Sequence, residues 1–314
     1  MRDQLRQLLW LTAALLLTAA FMAFVSWLRT DFERCPFLNP DNLKGILKQS
    51  STLIVLACGM TFVIVSGGID LSVGSILALS CVLLATQVQQ GAPLVRAIAL
   101  ALAAGAGCGL INGLTVVKGR VPAFIATLGM YMAARPVAFV ISGGETIYTG
   151  SDIPAMRALP VVLASVAVGL TWLLLSGTRY GRGLYAVGGN IEAARLSGVA
   201  TGAVRLWAYV CSGLAAGVAG VIYWARSGTG SNLAGSCAEL DAIAAVVLGG
   251  TSISGGEGHV LGSLVGALLM TVLRNGLVLL GLSDELQKLV IGIVIVVAVL
   301  VDRLRGSRQV RAPS

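Results

Sequence analysis

Residues 178–202 read TRYGRGLYAVGGNIEAARLSGVATG, a polar stretch between two long apolar runs. It carries Arg179, Arg182 and Arg195, with Arg205 just beyond, and a Gly188-Gly189-Asn190 turn. Then follows Ile191-Glu192-Ala193-Ala194-Arg195-Leu196-Ser197-Gly198. Asn190 is a favoured N-cap, and Glu192 places a carboxylate in the first turn, where the helix dipole favours it. Arg195 suits the last turn, and Gly198 a left-handed C-cap. The pattern predicts a helix of about two turns, well short of the ~12–15 residues needed for stability alone in water. Such a helix either packs on its own protein as a connector or docks into another one. Local sequence leaves both readings open.

The sequence around it narrows the choice. The chain has 314 residues, is 56% hydrophobic and only 11% charged, with mean hydropathy +0.89. Soluble domains carry about 25% charged residues, so this composition has too little polar surface for water. It predicts an all-α, polytopic membrane protein. The 40 glycines agree, because small residues let helices approach closely where lipid supplies no hydrophobic drive. A net charge of +8 raises the question of nucleic acid, but the basic residues flank apolar runs. The topology rule for cytoplasmic loops accounts for them, and no nucleic-acid partner is expected. Cysteines 35, 58, 81, 108, 211 and 237 lie mostly inside apolar segments without paired spacing. They read as small packing residues, not as a disulfide or metal framework.

About ten transmembrane helices fit, some broken or re-entrant: 8–28, 46–66, 71–90, 94–117, 121–142, 160–177, 203–225, 238–254, 260–280 and 286–302. The first follows Arg2 and Arg6, is long enough to span, and lacks a clear small-x-small cleavage site, so it reads as a helix and not a signal peptide. Residues 1–50 then hold that helix and an outer loop, 51–302 the main membrane domain, and 303–314 a basic tail. Starting inside, an even count places both termini in the cytoplasm. The cytoplasmic ends then collect twelve Lys and Arg against eight on the other side, and the segment 178–202 faces the cytoplasm.

Glycine interrupts several spans. Ser66-Gly67-Gly68, five residues, then Gly74-Ser75 is echoed by Ser254-Gly255-Gly256, five residues, then Gly262-Ser263. Corresponding glycine breaks in two parts of a membrane chain point to a transport path, since non-helical backbone survives there only when buried or lining a cavity. Tight turns between hairpin helices are the plainer alternative. Asp70 is either a path-lining carboxylate or a cap for the helix starting at Leu71, and Glu239 and Asp241 can be read the same way. Arg135 and Arg274 sit late in outward-running helices, where snorkelling to the interface competes with lining a polar mouth. The uncharged polar groups Thr61, Ser75, Asn112, Thr127, Ser212, Thr251 and Asn275 suit a neutral polyhydroxylated solute better than an ion. The candidate path is therefore Ser66, Gly67, Gly68, Asp70, Ser72, Asn112, Thr251, Ser254 and Asn275.

Enzymatic chemistry finds no support. The only lysines are 44, 48, 118 and 288, none followed by Ser or Thr, so no phosphate-cradling G-x-x-x-x-G-K-[ST] loop exists. His259 is the single histidine, and neither a metal cluster nor a nucleophile–base pair is present, so no cofactor is expected. A self-sufficient secondary transporter or channel for a small polar solute is the rival reading. It would need paired intramembrane acids for ion coupling, which the chain lacks.

GGIDLSVGS (67–75), NG (112–113) with PAFIATLG (122–129), YAVGGN with AARLSGV (185–199) and ELDAIAAVVLGGTSISGG (239–256) resemble the ribose-type sugar permeases of ATP-binding-cassette importers. The resemblance runs from about Ser51 to Asp302. It implies a homodimeric core in the bacterial inner membrane, two cytoplasmic ATPase subunits and a periplasmic sugar-binding protein. It also implies that Asn190, Glu192, Ala193, Ala194, Arg195 and Gly198 form the segment that meets the ATPase. One departure is Ala134-Arg135-Pro136, where the family commonly has Arg-Gly and where a proline is expected to kink the helix differently.

Overall fold

The computed structural model describes residues 2–28, 35–150, 158–294 and 296. The basic tail 303–314 and the later part of the expected span 286–302 lie outside the described residues. The helices are α1 (Arg2–Leu28), α2 (Pro40–Val65), α3 (Val73–Gln89), α4 (Leu94–Val117), α5 (Ala123–Ser142), α6 (Leu159–Gly177), α7 (Arg179–Gly189), α8 (Ile191–Leu196), α9 (Thr201–Ser227), α10 (Ala238–Leu248) and α11 (Val260–Leu279). A further helix, α12, occupies residues 284–294.

Seven of these are long and apolar enough to cross a membrane: the Leu8–Leu28 part of α1, then α2, α4, α5, α6, α9 and α11. The expectation of about ten spans is thus met in class but not in count among the described residues. α3 is apolar but has only 17 residues. The expected span 238–254 is helical over just 11 residues, which at 1.5 Å per residue reach ~16 Å, about half the ~30 Å hydrocarbon core. Gly249 and Gly250 stop α10 there, the second at φ +85°. α5 runs on through Pro136 as one helix.

α9 is the organising element, and between the buried Tyr209 and Trp224 its buried face has a stretch of small residues: Ser212, Gly213, Ala216, Gly217, Ala219 and Gly220. Against it α4 sets Ala101, Gly105, Gly109 and Gly113. A Cβ at Gly113 would lie 2.9 Å from the Leu206 carbonyl oxygen, and one at Gly105 would lie 2.9 Å from Gly217 Cα. The same economy repeats elsewhere, with Gly220 against the Leu77 carbonyl of α3 and Gly59 of α2 against Ser212. Backbones meet directly, so dispersion and polar backbone contacts take the place of large interlocking side chains. α2 completes the core, buried from Ile54 to Val65 and tied to α11 by a 2.8 Å hydrogen bond between Thr61 and Ser263.

α1, α5 and α6 instead turn large apolar side chains outward, among them Trp10, Leu17, Phe124, Met132, Leu170 and Trp172. On helices of spanning length such a surface suits lipid or a neighbouring membrane helix. Helix connectivity puts 66–72, 118–122, 178–200 and 249–259 at one end of the bundle and 36–39, 90–93, 143–150, 228–230 and 280–283 at the other, while 231–237 runs back between the helices to Gly74 at the start of α3. At that second end the all-α pattern has a small exception. Ile147–Tyr148 (β1) pairs antiparallel with Thr229–Gly230 (β2), Ile147 opposite Gly230. Thr149 fixes the pair by accepting from Trp224 Nε1 at 2.8 Å and donating to the Gly228 carbonyl at 3.0 Å.

Candidate functional site

Three glycine-bearing segments converge at the first end of the bundle. The N–H of Gly256 donates to the Val65 carbonyl oxygen at 2.9 Å, so the two echoed breaks, about two hundred residues apart, touch directly. Gly67, Gly255 and Gly256 hold φ of +78°, +86° and +77°, a region side-chain-bearing residues rarely enter. Gly188, in the last turn of α7, lies against both breaks. A Cβ there would be driven into the Val65 carbonyl oxygen and would stand 2.5 Å from Gly256 N. Tyr185, also on α7, donates to the Gly258 carbonyl oxygen at 2.8 Å. The stretch read from sequence as a polar loop with a Gly188-Gly189 turn is therefore a second helix ahead of α8. Thr178 caps it by accepting from Gly181 N at 3.1 Å, and Gly181, Gly183, Leu184 and Val187 are buried.

From this junction α8 projects. Asn190 accepts from Glu192 N at 3.1 Å and Ala193 N at 3.0 Å, a cap of about 1 kcal/mol. Gly198 closes the other end at φ +81°. The Glu192–Arg195 ion pair at 2.9 Å has both side chains 67% exposed and so contributes little beside the cap. Ala194 alone of the six helical residues is buried, while Leu196 is 84% exposed. An apolar side chain thus stands in the open at the end of a capped helix.

The remaining path candidates divide into groups. Ser66 bonds back to the Val63 carbonyl at 2.8 Å, Gly68 lies against the Tyr209 hydroxyl, and Ser254 is exposed at the rim of the junction. Asp70 is fully buried and accepts from Ser72 N at 2.9 Å, Ser72 Oγ at 2.6 Å and Ser212 Oγ at 2.8 Å. Asn112 donates to Ser72 Oγ at 2.8 Å, so one polar cluster ties the first break to α4 and α9. Thr251 is buried against Gly258. Asn275 stands apart at the opposite end, where it exchanges hydrogen bonds with Asn42 at 2.9 and 3.1 Å.

A cavity of about 350 Å³ opens between α2, α3, α9, α10 and α11, and its polar lining includes Gln49, Thr52, Tyr223, Arg226, Asp241 and Arg274. Arg274 does not snorkel; it pairs with Asp241 at 2.9 Å. Arg226 donates to Thr52 at 3.3 Å. Glu239 and Asp241 lie within the first turn of α10, not ahead of it, because that helix begins at Ala238. The loop before α10 is gripped by Arg135, which donates to the Asn232 carbonyl at 2.7 Å and to Ser236 Oγ at 3.3 Å, with its guanidinium 5.7 Å from the Tyr131 ring centroid. Sequence reading missed Gln49, Thr52, Tyr223 and Arg226 as a group. Only the three-residue spacings of Gln49 with Thr52 and of Tyr223 with Arg226, which put each pair on one helix face, were visible beforehand.

Residues 42–299 match the family model described as the branched-chain amino acid transport system / permease component. The ribose import permease protein RbsC of Escherichia coli (strain K12) is 44% identical over 278 residues, covering 85% of this chain and 87% of that protein. RbsC of Bacillus subtilis (strain 168) is 43% identical over 287 residues, 86% and 87% of the two chains. The galactose/methyl galactoside import permease protein MglC of Escherichia coli (strain K12) is 35% identical over 305 residues, 88% and 91%. No solved structure matches the chain significantly. These relatives match almost end to end and are named for sugars, although the family description names amino acids. The chain belongs to the ribose-type sugar permeases, the membrane-spanning subunits of ATP-binding-cassette importers.

Proposed function

We propose that this chain imports a ribose-like monosaccharide as the conduit of a transporter whose motor lies in other subunits. Two copies form the core in the bacterial inner membrane, with both termini and segment 178–200 cytoplasmic. α3, α10 with its preceding loop, and α12 complete ten membrane segments. Separate ATPase subunits dock on α8, and a periplasmic sugar-binding protein delivers sugar to the opposite face. When the ATPases close, α8 moves, α7 carries the displacement through Gly188, and the breaks at 66–72 and 249–259 shift together. The conduit then alternates between outward- and inward-open states. The observation that carries this reading is the exposed, capped α8 set on a helix whose base rests on both glycine breaks. The import permeases for ribose and galactose among its relatives support the substrate class.

Docking is tested at α8. Glu192→Lys reverses a charge in the first turn, and Gly198→Leu forces a side chain into φ +81°. Each is expected to lower sugar uptake at least tenfold at unchanged membrane content, with loss of the ATPase subunit from pull-downs. Normal uptake by both variants contradicts the docking role.

A further inference from the structure

We propose that the cavity beside the Asp241–Arg274 pair is a binding site for one neutral monosaccharide on the permease itself. The inference rests on the sugar-importer reading and adds to it a place where the sugar pauses inside the chain. The volume of about 350 Å³ falls at the small end of ligand pockets, which run ~300–1,000 Å³ and suit a single sugar ring at that end. Its position follows from a half-length helix. Asp241 lies eight residues before Gly249, or ~12 Å along the axis from the junction end of α10. Arg274 lies fourteen residues into α11, or ~21 Å from its start. Arg226, in the last turn of α9, lines the cavity's other edge, so the site runs from mid-bundle toward the end opposite the junction, beside a half-length helix of the kind transporters use at solute sites.

The lining chemistry selects the ligand class. Asp241 offers carboxylate lone pairs beyond the one engaged by Arg274, and a guanidinium carries five N–H donors. Gln49 and Thr52 each donate and accept, and Tyr223 supplies an aromatic wall for the C–H face of a sugar. Adjacent hydroxyls of a sugar match this alternation of donors and acceptors. With Arg226 the lining holds two guanidiniums against one carboxylate, so a sugar acid is the competing ligand; the Asp241 carboxylate, which repels a negative group on its side of the cavity, favours the neutral sugar.

The test uses the transporter reconstituted with its ATPase subunits in proteoliposomes, probed with D-ribose, D-galactose, D-fructose and D-gluconate. Equilibrium binding is measured without the binding protein, and import with it. Wild type is expected to bind at least one neutral sugar saturably. Asp241→Asn and Thr52→Val should each weaken that binding at least tenfold, and Thr52→Val, which keeps the side-chain shape, guards against misfolding of the charge variant. If wild type imports a neutral sugar while both variants bind and import it unchanged, the cavity assignment is overturned and the importer reading stands. Wild type that binds and imports only gluconate overturns the neutral-sugar class. Wild type that imports none of the four removes the importer reading and the inference with it.

Discussion

Valine in place of Gly109 is expected to leave a poorly folded protein, whereas valine in place of Gly107, two residues earlier on the same helix, is expected to be tolerated. A Cβ at Gly109 would be driven into the Tyr209 carbonyl oxygen and would lie 3.0 Å from Val210 Cα and 3.1 Å from Gly213 Cα. Those are backbone atoms of α9, which cannot swing aside as a side-chain tip can. At Gly107 nothing lies within 4 Å. Overpacking of this kind costs typically 1–3 kcal/mol, and the backbone contacts place Gly109→Val near ~3 kcal/mol. In lipid the two helices associate only through this close approach, so there is no hydrophobic reserve to offset the loss. Thermal unfolding in detergent should fall by roughly 5–10 °C for Gly109→Val and stay within ~2 °C for Gly107→Val. Equal stability of the two variants would contradict the α4–α9 packing described here.

Gly188→Ala should abolish most transport without removing the protein from the membrane, and Gly189→Ala should not. On helix propensity alone both changes favour α7, by up to ~1 kcal/mol each. At Gly189 nothing lies within 4 Å, so that gain is available. At Gly188 the added methyl would strike the Val65 carbonyl and crowd Gly256 N, prising α7 from both breaks. Uptake per membrane-inserted chain is expected to drop more than tenfold for Gly188→Ala and to change less than twofold for Gly189→Ala. If the two behave alike, the junction is not the route by which α8 acts on the bundle.

Several features were legible in the residues themselves. Low charge and high glycine content identify a helical membrane protein, and Asn190, Glu192 and Gly198 mark the ends of α8 because caps are chosen by local chemistry. The repeated Ser-Gly-Gly spacing marks two breaks, since left-handed φ values, held here by Gly67, Gly255 and Gly256, favour glycine. α7 escaped notice because four of its eleven residues are glycine, which depresses helix propensity. Its glycines serve contact and not turning: Gly181 packs on the Leu174 and Leu175 carbonyls and Gly188 on Val65, so tertiary packing overrides propensity. The short α10 was read as longer because Gly249 and Gly250, which end it after Leu248, are residues that membrane helices also carry in their interior. Arg135 read as a lone charge near an interface, because nothing local shows that carbonyls of 232–236 lie within its reach. The cavity draws its lining from five helices, a juxtaposition that only the folded chain reveals.

The most direct measurement is uptake of labelled D-ribose, D-galactose and D-fructose by liposomes holding this purified chain, with and without its ATPase subunits, ATP and the sugar-binding protein. At least one sugar should accumulate when all components are present, and none when the ATPase subunits or ATP are withheld, whatever ion gradient is imposed. Accumulation by the chain alone, driven by a proton or sodium gradient, would show that it carries its own motor and is not the passive half of an ATP-driven importer.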